Sequence, residues 1–152
     1  MSAISDLEEE QLKQHLITGG VLSSFTDIFG ATQPAPITQM LEFDLSPQTV
    51  PANKVAVLIK NNGSVSNPAT STLFNQRRML ISVVGNTSAA GSVIAKGLVM
   101  DIDVWLKANI TDGQCIFDIT SSGVSGPFIF DDSRRAHEIN LLVSFNIVRP
   151  VY

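Results

Sequence analysis

The sequence predicts an α+β fold in which a mixed, mainly antiparallel sheet is packed on one face by two helices. Three observations point there: an amphipathic segment near the start, a longer apolar segment of helical period over about residues 88–107, and alternating apolar runs crowded into the last third. With 152 residues, the chain is long enough to bury a continuous core without disulfides or metals, and one domain over 1–152 is expected.

The opening helix is expected over about residues 6–18, with Ser5 and Glu8 spaced as a capping box and Gly19-Gly20 as its stop. Its apolar stripe is Leu7, Leu12, Leu16 and Ile17, and the acidic run Asp6, Glu8, Glu9, Glu10 suits the positive end of the helix dipole. From Val21 to Pro51, Gly30 and Pro34, Pro36, Pro47 and Pro51 interrupt regular structure, and Met40–Leu45 fits a strand or a turn of helix. Lys54–Lys60 reads as a buried strand ended by Asn61-Asn62-Gly63, with a polar loop over 64–72 behind it. A strand over 77–84 leads through Gly85-Asn86-Thr87 into the second helix, with Thr87 or Ser88 as N-cap. On that helix Ala90, Val93, Ile94, Gly97, Leu98, Ile102 and Trp105 are assigned to the sheet-facing side, and the glycines Gly91 and Gly97 to close packing. Three strands follow, over about 114–120, 128–130 and 137–148, separated by a loop over 121–127 and a tight turn at Asp131-Asp132-Ser133. The last alternates throughout, with His137, Ile139, Leu141, Val143, Phe145 and Ile147 on one face, as a strand with one buried and one open face does.

Composition narrows the function. Ten basic residues against fourteen acidic ones give a net charge of −4, a poor match for a phosphate backbone, so no direct nucleic-acid reading is expected. No apolar run reaches the roughly 20 residues that cross a bilayer, and the acidic start is unlike a signal peptide, so the protein is expected to stay in the cytoplasm and to have no membrane partner. Cys115 is the one cysteine and fits a reducing compartment. Only 16% of residues are charged, which hints at surface covered by a partner or another copy.

Side chains for chemistry are few. The only imidazoles are His15 and His137; Cys115 is placed on a strand with Phe117 and Ile119 as a buried thiol; neither a phosphate-binding glycine loop nor a metal-ligand spacing occurs. Asp101 and Asp103 project to different sides of their helix, and Asp131-Asp132 lack a convergent framework. No catalytic residue, cofactor or metal is expected. The pairs Arg77-Arg78 and Arg134-Arg135 head apolar strands. Neighbouring strand residues point to opposite faces, so one Arg of each pair is expected to face away from the core. There it is either a charged strand end that discourages edge pairing or, with Asp131, Asp132 and Glu138, a candidate oligomer interface in which its fork meets carboxylates of a neighbouring copy.

The run from Arg77 to Trp105, a strand ending Ser82-Val83-Val84-Gly85-Asn86 and entering a helix of small residues, resembles one half of the tail-terminator (tail-completion) proteins of tailed bacteriophages. Phe117–Pro127, then Asp131-Asp132-Ser133-Arg134-Arg135 and a long alternating strand, resembles the other half. The resemblance implies a structural subunit that forms a ring, commonly hexameric, on the end of a tail. Its partners would be the tail-tube protein and the head–tail connector, its place the virion after assembly in the host cytoplasm, and it brings no catalytic residues. The alternatives are another neck, tube or baseplate component, or a small cytoplasmic enzyme or ligand-binding domain.

Overall fold

A computed structural model of the chain describes residues 8–40, 50–65, 74–130 and 133–146. In chain order these form α1 (Glu8–Thr18), β1 (Phe25–Thr26), β2 (Thr32–Gln33), β3 (Ile37–Met40), β4 (Ala56–Val65), β5 (Phe74–Val84), α2 (Gly91–Ala108), β6 (Ile116–Ile129) and β7 (Arg135–Asn146). The five longer strands make one sheet in the order β3-β4-β5-β7-β6, in which only the β3–β4 pair is parallel, while β1 and β2 form a separate small hairpin. The fold is therefore α+β with a mixed, mainly antiparallel sheet.

The alternation of each strand divides the sheet into two faces. Val57 and Ile59 of β4, Met79, Ile81 and Val83 of β5, and Ile139, Leu141, Val143 and Phe145 of β7 point to the helices and join Leu12, Leu16, Ile94, Leu98, Ile102 and Leu106 in the main core. α1 covers β4, and α2 lies across β5, β7 and β6. At one end of the opposite face Val50 closes a small cluster with Ala56, Val84, Ala136 and Ile37.

Several boundaries differ from the sequence reading, each for a local reason. The N-terminal Ser5 and Leu7 lie outside the described residues, and the stripe on α1 turns: Leu12 and Leu16 are fully buried, Ile17 is exposed, and His15 takes the inward place instead. The connection after α1 holds the β1–β2 hairpin and the sheet strand Ile37–Met40, whose pairing begins where Ile37 meets Ala56; of the strand or helical turn expected over 40–45, residues 41–45 lie outside the described residues. Asn61-Asn62-Gly63 does not end β4; a register shift between Asn61 and Ser64 absorbs it within the strand. α2 starts at Gly91 with Ala90 as N-cap, not at Thr87 or Ser88, because Ser88 donates its backbone N–H (3.1 Å) and its hydroxyl (2.6 Å) to the Asn86 side chain. A side chain at Gly91 would collide with the Asn86 carbonyl, which accounts for that glycine. The two strands expected at 114–120 and 128–130 are one strand: the stretch 121–127 stays paired to β7 through register shifts, with Gly123 (φ 95°) and Gly126 (φ 131°) supplying backbone angles that other residues rarely adopt. The first of those shifts turns Phe117 outward while Ile116 and Ile119 are buried, so Cys115 does not share a buried face with Phe117.

Candidate interaction surfaces

The structure separates the predicted interface residues. Arg134 turns inward and is 4% exposed. Its guanidinium donates to the carbonyls of Lys54 (3.2 Å), Gly85 (3.4 Å) and Pro51 (3.2 Å), tying the start of β7 to the loop before β4 and to the turn before α2. It is a strut within the chain and is not presented to a neighbour, which corrects the sequence expectation. Arg77 is also engaged internally: its Nε donates to Glu8 at 3.0 Å, and Asn61 donates to the same carboxylate at 2.7 Å, fastening α1 to β4 and β5. Arg135 is half-buried and donates to the Arg134 carbonyl. Asp131 and Asp132 lie outside the described residues. Arg78 is exposed and Glu138 half-exposed, both on the sheet face away from the helices.

The potentially reactive side chains are held in structural contacts. His137 is buried on β7, with its Nε2 3.2 Å from the Ser92 hydroxyl of α2. Burial, and then the positive charge of Lys96, lower its pKa below the usual imidazole value, against a smaller contribution from Ser92. The pair links helix to sheet. Asp103 likewise bridges layers, accepting from Ser121 of β6 and pairing with Lys107 at 2.9 Å, while Asp101, two residues back and so on the other side of the helix, faces solvent. Cys115 sits at the end of a loop closed by Asp112, whose Oδ1 accepts the backbone N–H groups of Gln114, Cys115 and Ile116 at 2.8 Å each. Among the described residues no three His, Cys, Asp or Glu side chains converge as metal ligands, and no helix is long and apolar enough to cross a membrane.

A cavity of about 500 Å³ opens between the C-terminal ends of α1 and α2, lined by His15, Thr18, Gly19, Trp105, Asn109 and Asp112 among others; it includes neither His137 nor Cys115. His15 donates to the Asn109 carbonyl at 2.7 Å and tilts against Trp105, with ring centroids 4.6 Å apart. Gly19 leaves room for the Trp105 ring.

The unexplained groups are apolar and outside. On α2 the core side carries Ile94, Leu98, Ile102 and Leu106, and diametrically opposite them run Val93, Met100 and Val104, the last 66% exposed. The sequence reading placed Val93 and Gly97 with the core; Val93, seven residues from Met100 and eleven from Val104, belongs with them to a second apolar face, as a helix apolar on two sides does when both are covered. Beside this stripe stands the loop between β1 and β2. Asp27 accepts from Phe29 N (2.8 Å), Ala31 N (3.0 Å) and Gln33 Nε2 (2.8 Å), bracing a tip on which Ile28 and Phe29 are each 64% exposed. Gln33 leads the causes that hold the Asp27 carboxyl below its usual pKa, with burial opposing and the Ala31 and Phe29 amides assisting. Gly97 lets this loop lie on α2, since a Cβ there would be 3.2 Å from Ile28 Cγ2.

Comparison of the chain with protein-family models and with curated protein sequences finds no match.

Proposed function

We propose that this protein is a structural assembly subunit of the tail-terminator kind, forming a ring on the end of a phage tail tube, stopping its growth and offering a surface to the head connector. The observation that carries the reading is the apolar stripe Val93, Met100, Val104 with the braced Ile28-Phe29 tip beside it, a surface that stays exposed among the described residues. The edge strand β6 adds support. Its register shifts and Pro127 blunt the backbone edge that would otherwise template open-ended strand addition, which suits closed assembly through side chains. The cavity beside Trp105 favours a second reading, a ligand-binding domain.

Light scattering after size exclusion over a wide concentration range tests the proposal. A closed oligomer of fixed mass, six copies, is expected. Mass that rises without limit points to a tube-forming component, and a monomer at every concentration overturns the ring.

A further inference from the structure

Among the described residues the sheet has helices on one face only; on the other face, where Leu58, Ser82 and Ser144 are buried, the charged side chains are sorted by sign. Register places Lys60 of β4 and Arg78 of β5 on one half, Glu138 of β7 and Asp118 of β6 on the other. Between them, half-buried Leu80 and Leu142 form a diagonal pair along the β5–β7 seam. Among the described residues, no ion pair or side-chain hydrogen bond neutralises any of the four charges.

The outer face of α2 has the same plan. Its apolar stripe is flanked on one side by Lys96 and Lys107 and on the other by Asp101, as the 100° step of an α-helix places them. Lys107 is shared with Asp103, whereas Asp101 has no ion-pair partner among the described residues.

We propose that these two faces are the two sides of one contact between copies of this chain, with the α2 stripe of one copy docked along the Leu80–Leu142 seam of the next. In that orientation Lys96 lies over the Glu138 and Asp118 half, and Asp101 over Lys60 and Arg78; the reverse orientation sets like charges against each other. The contact supplies the missing helical layer on the open face and covers the stripe that α2 leaves outside. Because the two surfaces differ, the contact is head-to-tail, and repeating it closes a ring when the rotation permits. The inference rests on the ring reading for closure and specifies which surfaces meet.

The test uses two variants of the full chain, Val104→Lys, which spoils only the helix side, and Leu142→Lys, which spoils only the sheet side. Circular dichroism and melting verify that each folds, and Arg78→Glu replaces Leu142→Lys if that variant does not. Each alone is expected to stay monomeric where wild type is assembled, and an equimolar mixture to give a two-chain complex and nothing larger, because one intact helix face meets one intact sheet face. In addition, Arg78→Glu is expected to weaken association about tenfold or more, and Arg78→Glu with Asp101→Lys to restore it. Variants that assemble like wild type overturn this contact and leave the ring standing on other surfaces. A monomeric mixture also overturns it. Wild type that never assembles removes the ring reading and the contact together.

Discussion

At Arg134 the chain places a guanidinium where water hardly reaches and surrounds it with three backbone carbonyls. Replacing it by Met keeps much of the volume and removes the donors, so urea denaturation is expected to show a loss of about 3 kcal/mol, while Arg134→Glu is expected not to fold, since it buries a carboxylate against carbonyl oxygens. A loss under about 1 kcal/mol for the Met variant would mean that these carbonyls find water instead. His137 makes a pH prediction. Its pKa is lowered in the fold, so between that value and the ordinary imidazole value near 6.5 the unfolded chain binds more protons and stability rises with pH. The melting temperature of wild type should fall from pH 7 to pH 5, and His137→Gln should flatten that slope even if it lowers the curve; an unchanged slope would assign the pH dependence elsewhere. Neither role was legible in the sequence. Arg134 and Arg135 are adjacent and of one type, and only the register of β7 with β5 and the turn at Gly85 decides which of them turns inward.

The β1–β2 hairpin has two residues in each strand and little pairing of its own, so its shape depends on the Asp27 carboxylate. Asp27→Ala is expected to speed amide hydrogen exchange at Phe29 and Ala31 by about tenfold or more while exchange in β5 and β7 stays unchanged. Acid should do the same reversibly: the carboxyl pKa is depressed, so its contribution is present above the ordinary carboxylate value and is lost as pH falls through the folded one. If the hairpin amides stay protected in the Ala variant, the brace lies in Ile28 on α2 instead. Elements with strong period were readable from residues alone, β7 above all, since its alternation from His137 to Val143 is the alternation of burial. The hairpin was not, because its strands are too short to show a period, and the stretch 121–127 was read as a loop because bulged strands borrow the glycines and serines of turns.

On the scale of the whole molecule, among the described residues the sheet carries helices on one face and α2 is apolar on two sides. Val93→Ser, Met100→Gln and Val104→Ser together are expected to leave the melting temperature nearly unchanged, because these side chains face away from the core, while lowering the mass in solution toward that of a single chain. A large drop in stability would place the stripe inside the fold's own energetics. The sequence made the α+β class readable through its two helical segments and its alternating strands. It set Val93 and Gly97 on the sheet-facing side of α2 with Ile94, Leu98 and Ile102, because both apolar faces repeat at helical spacing and only tertiary packing separates them. The packing of Trp105 has an optical consequence. As the one tryptophan in the chain, set between α1 and α2 against the His15 ring, it makes intrinsic fluorescence a report on a single joint. Undocking of α1 would shift that emission to longer wavelength while the sheet's far-ultraviolet signal persisted, so the peeling of one helix can be timed apart from the collapse of the core.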